Sequence, residues 1–525
     1  MSRRPEGLLR ASGITFAGIV VGAFATLLLA QVVGHGLGAR GTGLFFQAIA
    51  LFAIASNALQ LGADTALVRT LSRQSALGET RGLRRTVRTA VVPVTLVGVA
   101  FSVVVLLAAG PLGGLVAPGD PGYATEVLRI MSPFLVAGAL LAVLLGGTRG
   151  IGSTLPYTVL QNLGLPILRL LIVAFAMAAG WSIQWIAAGW AAPLAVLAVA
   201  AAVVLARQLR NAEARGLSPV LAEPSGAAAG FWGFALPRGA STLIERALDW
   251  SGVLIVLAVG GPVAGGIYAV VNRCASAGTM IDQAARIVTG PRISRALATR
   301  NHAEASRLFL DVTRGIVAVA WPFYLTLAVF APAVLSLFGP EFVAGALPLA
   351  LVSLAMMLAT TAGMVQSILL MGGRSSWQLI NRLAQLATLL MLTALLVPPL
   401  GLTGAAIGWI AAIAVDTTLA AVQVNVRLGI RSSPRLIVLP AALALLVFGG
   451  GGGLAALVFG ESVPVLLTAS AVLGGLYVAL GFAFRRRLGL DVFRRPATPA
   501  VSSPPPIPLT GPAPRMAPDL NGVES

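Results

Sequence analysis

Apolar runs of about 20 residues recur along the whole chain, and they constrain its fold more than any other feature. A helix of that length spans the hydrocarbon core of a bilayer. The runs are bounded by Gly, Pro or Arg and predict fourteen membrane-spanning helices. The predicted helices are 12–34, 43–66, 88–110, 124–146, 154–179, 183–206, 230–259, 264–288, 314–337, 343–371, 377–397, 402–426, 435–459 and 463–484. An even number of spans places both termini on one side of the membrane.

The composition agrees with a polytopic membrane protein. The 525 residues are 57% hydrophobic and 10% charged, whereas a soluble domain carries about 25% charged residues. The net charge of +18 comes entirely from arginine, because the chain contains no lysine. These arginines fall almost wholly in loops after even-numbered helices, as the positive-inside rule requires. We therefore expect the cytoplasmic (inner) membrane, both termini in the cytoplasm, and no nucleic-acid partner.

The basic loops hold, among others, Arg69, Arg73, Arg149, Arg207, Arg210, Arg374 and Arg427. In this topology each of them is expected to lie in the cytoplasm, beyond the end of a helix.

An internal repeat divides the chain into two halves. The motif GLF at Gly43 opens the second predicted helix, and GIY at Gly266 stands near the start of the eighth. Each glycine is followed by an arginine at the same spacing, Arg69 in the first copy and Arg292 in the second. Six helices separate the copies, and an even number preserves orientation. Helices 1–6 and 7–12 should therefore form parallel repeats about an axis along the membrane normal, a transporter architecture.

The predicted fold is an all-α polytopic membrane protein with two six-helix lobes around a central cavity and two further C-terminal helices. The lobes are residues 1–206 and 230–427, joined by the polar cytoplasmic linker 207–229. Helices 13 and 14 lie in 428–487. The tail, 488–525, is rich in Pro and Ser and cannot bury a core, so we expect it to be disordered.

Charged side chains interrupt the seventh and eighth predicted helices. A charge at the bilayer centre costs roughly 2.5–3.5 kcal/mol on the insertion scale, so these side chains must face one another or a wet cavity. We predict that they line a substrate cavity. The set is Arg238, Glu245, Arg246, Asp249, Asn272 and Arg273. The alternative is internal neutralisation, for example of Arg273 by Glu245 or Asp249, which would only lock two helices together.

Further polar residues are candidates for the same cavity. Arg169 lies deep in the fifth helix with no acidic residue near it in sequence, so it has either a partner on another helix or an anionic ligand. The remaining predicted lining residues are Gln161, Asn162, Asn381 and Arg382.

Two acidic residues are candidates for ion coupling. Asp416 stands on the twelfth helix and could instead pair with one of the arginines. Asp64 stands near the cytoplasmic end of the second helix, where pairing with Arg69 is the favoured interpretation.

The sequence contains no catalytic or cofactor-binding pattern. We find no usable Ser/His/Asp set, no Cys/His metal cluster, and no phosphate-binding or dinucleotide loop. The single Cys274 excludes an internal disulfide. We therefore expect no enzymatic activity, no metal and no cofactor, with energy supplied by gradients or downhill release.

Five segments of the chain resemble one family. They are 29–73 (beginning LAQVVGHGLGARGTGLFF), 266–297 (beginning GIYAVVNRCASAGTM), LSLFGPEFVAGALPLALVSLA from residue 335, LLMGGRSSWQLINRL from 369 and GLTGAAIGWI from 401. These segments resemble the multidrug/oligosaccharidyl-lipid/polysaccharide exporter superfamily, in its polysaccharide-transporter or O-antigen-flippase-like branch. The resemblance covers roughly residues 12–484.

The resemblance implies a flippase for a lipid-linked oligosaccharide. The head group of a polyprenyl diphosphate glycan would pass through the cavity while its lipid tail stays in the bilayer, and the two lobes would rock by alternating access. Arg169, Arg246 and Arg273 would supply guanidinium groups suited to phosphate. The implied partners are the lipid-linked glycan, membrane lipids and polysaccharide assembly proteins at the tail, and a monomer is expected.

Three other functions remain open. A peptidoglycan-precursor (lipid II) flippase is less favoured, because the first helix (14–33) carries no basic residue, whereas that subfamily has them there. A multidrug/cation antiporter needs a membrane-embedded acid in the N-terminal lobe, for which Asp64 is the only candidate. The third is a non-transporting scaffold for glycan assembly.

Overall fold

A computed structural model describes residues 5–79, 82–117, 119–215, 227–283, 285, 289, 302–361, 365, 375–428 and 435–483. Within these ranges every regular element is a helix. Eleven of the helices are long and apolar enough to cross a membrane. They are α1 (Ala17–Leu59, helical from Pro5), α2 (Leu83–Leu107), α3 (Pro121–Gly150), α4 (Leu155–Ala178), α5 (Ile183–Ala214), α6 (Gly230–Gln283), α7 (Ser306–Val329), α8 (Pro340–Thr361), α9 (Trp377–Val426), α10 (Ile437–Phe459) and α11 (Val463–Ala483).

Three of these helices are each two spans joined at a glycine. Gly38 in α1, Gly261 in α6 and Gly401 in α9 have φ of 62°, 83° and 56°, a backbone region that residues with a Cβ avoid. We call the parts before and after each glycine α1a and α1b, α6a and α6b, and α9a and α9b. With these three helices counted as two spans each, the described residues contain the fourteen predicted spans. The predicted fold class is confirmed.

The turns between spans also repeat. The spacing from Gly38 to Gly261 equals the spacing from Gly43 to Gly266, the glycines that open the GLF and GIY motifs. Gly180, which turns the chain between α4 and α5 with φ 71°, precedes Gly401 by nearly the same spacing. The N-terminal lobe (α1–α5) and the C-terminal lobe (α6–α9) therefore have the same order of spans, and α10 and α11 follow them.

The two lobes meet at Gly43 and Gly266. A Cβ on Gly43 would overlap the carbonyl oxygen of Pro262, and a Cβ on Gly266 would overlap that of Ala39. Ala39 and Pro262 are equivalent positions of the same repeat, so the contact is reciprocal, as a two-fold axis between α1b and α6b requires. Small residues allow helix backbones to approach this closely, and the pairing of α1 with α6 is the most extensive among the described helices.

One helix ends earlier than predicted. The span α1b ends at Leu59 because Leu61 and Gly62 both have positive φ. A separate helix, Ala63–Leu77, follows it. Gly62 lies against Gly239 of α6a, where a Cβ on either residue would overlap backbone. Two short helices follow spans on the side of the membrane opposite to the termini. They are Ala109–Val116 after α2 and Ala331–Ser336 after α7.

A carboxylate joins the lobes on the side of the membrane opposite to the termini. Glu341, at the start of α8, accepts a hydrogen bond of 2.8 Å from the backbone N–H of Ala39. Ala39 follows the kink at Gly38 and opens α1b. The first N–H groups of a helix have no intrahelical acceptor and carry the positive end of its dipole. The contact therefore favours closure of the lobes on that side.

Removing this contact should favour states that are open on the side opposite to the termini. Glu341→Gln removes the charge, and Ala39→Pro removes the N–H donor at a position where helices accept proline. We expect each variant to increase opening about two- to fivefold, and the double variant to add nothing further. Opening is measured as maleimide labelling, from that side, of Thr26→Cys, a cavity residue, in a Cys274→Ala background. Unchanged labelling in both single variants would contradict the assignment.

Candidate functional site

A cavity of about 940 Å³ lies between the two lobes and is lined by helices of both. Its lining runs from Phe46 on α1b past the end of that span to Asp64, and on α3 it ends at Arg149. On α6b it runs from Arg273 to Gln283. These three spans all begin on the side opposite to the termini. The cavity therefore extends from the interior of the membrane to the side of the termini, which we call the termini side.

The cavity gathers nine of the thirteen residues predicted for the site. They are Asp64, Gln161, Arg169, Glu245, Arg246, Asp249, Arg273, Arg382 and Asp416. Arg169 of the N-terminal lobe and Arg273 of the C-terminal lobe, both predicted to lie within the membrane, therefore face one shared space.

The other four predicted residues, Arg238, Asn272, Asn381 and Asn162, do not belong to its lining. Arg238 pairs with Glu245, two turns along α6a, at 3.9 Å. Asn272 donates a hydrogen bond of 3.4 Å to the carbonyl oxygen of Asp249 and so joins α6b to α6a. Asn272 therefore joins two spans, whereas Arg238 pairs along its own helix, and neither belongs to the lining of the cavity.

The two remaining asparagines are also held by neighbouring helices. Asn381 is fully buried and exchanges two amide hydrogen bonds, of 2.9 and 2.8 Å, with Gln423 of α9b. Asn162 lies where α4 packs on α1a, with its backbone carbonyl oxygen against Gly22. These contacts correct the sequence prediction for all four residues.

Most arginines of the C-terminal lobe that line the cavity are paired with a carboxylate. Arg246 lies 3.3 Å from Asp249, and Arg382 lies 3.5 Å from Asp416. Arg382 also donates a 2.7 Å hydrogen bond to the side-chain oxygen of Gln385. The expected pairing of Asp416 with an arginine is confirmed. Such pairs neutralise charges that would otherwise be costly within a membrane.

Arg273 is placed differently. Its guanidinium carbon lies 4.8 Å from the ring centroid of Trp250 and 5.5 Å from that of Phe46, which belongs to the other lobe. Within the described part of the chain it forms no ion pair. Glu245 and Asp249, the predicted partners of Arg273, form ion pairs with other arginines instead. The charge of Asp249 still acts on Arg273 at longer range.

Arg169 is also held by an aromatic residue. Its guanidinium carbon lies 3.5 Å from the ring centroid of Trp190, and its Nε donates a 3.0 Å hydrogen bond to the carbonyl oxygen of that residue. These two contacts fix the side chain and leave both terminal nitrogens without a hydrogen-bond acceptor among the described residues. We call Arg169 and Arg273 the deep pair.

The cavity contains as many acidic as basic side chains. Five carboxylates and five arginines line it, so net charge gives it no preference for anions or cations. The positions of the arginines do give a preference, because the deep pair has no carboxylate partner in the described ranges. Arg246 and Arg382, in contrast, are paired. The cavity is therefore locally cationic at the deep pair.

Asp64 lies at the other end of the cavity, on the termini side. Its predicted pairing with Arg69 is wrong: the guanidinium of Arg69 covers the ring of Phe234 at 4.3 Å, and Asp64 accepts a hydrogen bond of 3.2 Å from Thr65. Residues five apart on one helix point about 140° apart, so Asp64 and Arg69 do not share a face of the helix Ala63–Leu77.

Sequence reasoning missed several residues of the cavity. Trp190 and Trp250 orient the deep pair, and Arg149, expected in a loop, lines the cavity from the last turn of α3. The tryptophans carry no charge to mark them within apolar runs. Tyr157, at the start of α4, was a possible signal for Arg149, because an aromatic ring near a helix end can hold a guanidinium.

The fold and the cavity define a polytopic helical membrane protein with two pseudo-symmetric lobes around a polar chamber. Residues 41–175 match the MatE family model. No curated protein sequence is significantly similar to this chain.

This chain matches solved structures of similar fold over nearly the whole length of those structures. The lipid II flippase MurJ, in an inward closed conformation, matches with a TM-score of 0.66 at 12% identity, over 91% of this chain and 99% of that one. A multidrug resistance MATE family transporter of the MOP superfamily, in an inward-facing conformation, matches with a TM-score of 0.60 at 17% identity, over 80% and 94%. A mutant of the Vibrio cholerae MATE transporter VcmN matches with a TM-score of 0.57 at 16% identity, over 81% and 98%. The predicted resemblance to this exporter superfamily is confirmed at the level of the fold.

Proposed function

We propose that this protein is a flippase that translocates a lipid-linked oligosaccharide, a polyprenyl diphosphate glycan or surface-polysaccharide precursor, across the cytoplasmic membrane. The lobes alternate between states open to either side, and both termini lie in the cytoplasm. The protein acts as a carrier and not as an enzyme.

The deep pair is the observation that carries this proposal. Arg169 from the N-terminal lobe and Arg273 from the C-terminal lobe line one cavity, and neither has a carboxylate partner among the described residues. Arginine presents a planar fork of donors that matches phosphate oxygens. A ligand bound by both arginines would also draw the lobes together, which suits a carrier that must close around its cargo.

The rest of the cavity suits the glycan. Amide side chains of Gln60, Gln161, Gln283 and Gln378 line it and can exchange hydrogen bonds with sugar hydroxyls. Trp409 also lines it and offers an apolar ring to a sugar face.

The membrane potential supports outward movement of such a head group. With a negative interior, each negative charge that crosses outward gains about 2.3 kcal/mol per 100 mV. The membrane potential can therefore drive the outward movement of a diphosphate without ATP hydrolysis.

Two other cargoes have an observation in their favour. The MurJ match favours lipid II, but α1a contributes only Thr26 and Leu29 to the cavity and no basic side chain. The MatE match favours a multidrug/cation antiporter, with Asp64 in the cavity as its acidic residue. The uncharged wall at α1a favours the surface-glycan cargo over lipid II, and the free deep pair favours an anion over a cation.

The cargo class can be tested in liposomes that contain the purified full-length chain. We expect a labelled polyprenyl diphosphate disaccharide to cross the bilayer at least about tenfold faster than the same disaccharide on a phosphate-free polyprenol. The reason is that each charge-assisted hydrogen bond contributes roughly 1.5–3 kcal/mol. Crossing is measured by loss of label accessibility to a membrane-impermeant quencher.

Asp64→Asn separates the anion carrier from the antiporter. An anion carrier should still transport the diphosphate lipid in this variant, whereas an antiporter should lose its transport. Equal rates for the two polyprenyl lipids would reject a carrier that selects the diphosphate, and uptake of a cationic dye that Asp64→Asn abolishes would favour the antiporter. A scaffold would move neither.

A further inference from the structure

Arg149 occupies a position in the cavity that a loop arginine would not have. It lies in the last turn of α3 and lines the termini-side end of the cavity. Its guanidinium carbon lies 4.3 Å from the ring centroid of Tyr157. Its Nε is buried and, among the described residues, has no hydrogen-bond partner.

This geometry differs from that of an arginine that only orients the protein in the membrane. Such an arginine extends its charged end into water beyond the helix. Arg149 instead lies over an aromatic ring, as Arg169 does at the deep pair. The ring shields one face of the guanidinium, and the charge stays available to an anion in the cavity.

One face of α4 connects the two arginines. Tyr157, Gln161, Leu165 and Arg169 recur every four residues, which places them along one side of the helix, and all four line the cavity. The rise along the helix from Tyr157 to Arg169 is at most about 18 Å, because residues 158–164 form a wider π-helical segment. This distance is longer than a diphosphate group, so one diphosphate does not occupy both ends of this face at once.

We propose that Arg149 and Tyr157 form a loading station, a second phosphate-binding site at which the head group binds from the termini side before it moves along α4 to the deep pair. This inference rests on the proposed function and adds the order in which the phosphate is bound.

The acidic residues around the station set its strength. Asp64 and Asp282 line the same end of the cavity. Asp64 forms no ion pair with Arg149 within the described ranges, so its carboxylate weakens anion binding there without neutralising the arginine. A loading station that binds weakly releases its ligand inward to the deep pair.

Binding to the full-length protein in nanodiscs tests the station. Titration with farnesyl diphosphate should show two classes of site in the unmodified protein. Arg149→Gln should remove the weaker class, and Asp64→Asn should tighten it about two- to fivefold. In the liposome assay, Arg149→Gln should raise the lipid concentration for half-maximal transport about tenfold, a larger change than in the maximal rate. Arg210→Gln, an exposed arginine of α5 outside the cavity, is the matched control and should change nothing.

The outcomes separate this inference from the proposed function. The station is rejected if Arg149→Gln leaves both the isotherm and the half-maximal concentration unchanged, even if loss of the deep pair abolishes transport. It is also rejected if inorganic pyrophosphate binding falls but farnesyl diphosphate binding does not, since the site would then serve a free anion. A lower thermal stability with unaltered binding would show that Arg149 only packs against Tyr157. The proposed function fails instead if the tighter class of farnesyl diphosphate site survives loss of both deep arginines.

Discussion

Substitution of either deep arginine, Arg169→Gln or Arg273→Gln, is expected to reduce transport of a polyprenyl diphosphate glycan at least about tenfold, and the double variant to abolish it. Each guanidinium can donate charge-assisted hydrogen bonds to phosphate, which contribute roughly 1.5–3 kcal/mol each and correspond to about tenfold to hundredfold in affinity. Neither arginine has a carboxylate to lose among the described residues. Glutamine therefore leaves no unpaired buried acid, and the protein should stay folded.

The conservative variants make this prediction specific. Arg169→Lys keeps the charge but loses the planar contact with Trp190 and the Nε hydrogen bond to its carbonyl, so we expect partial transport. Transport is measured in liposomes, and folding by size-exclusion profile and thermal stability. Full transport by the double glutamine variant, at a normal amount of folded protein, would reject the deep pair as the anion site.

Arg246→Gln is the informative comparison, because Arg246 lines the same cavity but is paired with Asp249. Its loss leaves that carboxylate unpaired and makes the cavity more negative. A decrease in transport here would reflect repulsion of the anion, and restoration by Arg246→Gln combined with Asp249→Asn would demonstrate it. The deep pair allows no such rescue.

The fold could be predicted from the sequence because the bilayer imposes strong and simple requirements. Helix length, the alternation of arginine-rich loops and the internal repeat indicate the number, direction and order of the spans. The kinks at Gly38 and Gly261 follow the same repeat. The helix ends were less certain, since α1b ends at a break around Gly62 that requires contact with Gly239 of the other lobe. A contact between distant segments leaves no local pattern in the sequence.

The site could be predicted only in part, for a related reason. Hydropathy shows how deep a polar residue lies, but not whether it faces the cavity or a neighbouring helix. Asn381 and Arg382 are adjacent and point about 100° apart, and only Arg382 reaches the cavity, because Gln423 of α9b engages Asn381. Arg149 was missed because its place at a helix end resembles that of a loop arginine, and only packing of α3 beside α4 places it over Tyr157.

The contact between the lobes gives the second large effect. Gly43→Ala and Gly266→Ala should each destabilise the protein by about 1–3 kcal/mol, the usual cost of an added methyl in a packed interior, or more. The added Cβ would overlap the carbonyl oxygen of Pro262 in the first case and of Ala39 in the second. Backbone atoms cannot move aside as a flexible side chain can, so α1b and α6b must separate. The measurement is the thermal unfolding midpoint in detergent, together with the fraction of monodisperse protein.

The pseudo-two-fold axis also predicts how the stability of the double variant compares with that of the single variants. Both substitutions disturb one reciprocal contact, so once the first has separated the helices the second should cost less, and the double variant should be less destabilised than the sum of the singles. Gly474→Ala in α11 is the matched control, since a Cβ there meets no atom within 4 Å. Alanine is the better helix former, so this control should be neutral or slightly stabilising. Additive losses from Gly43→Ala and Gly266→Ala would mean that the two close approaches are energetically independent, contrary to the coupling expected of one reciprocal contact.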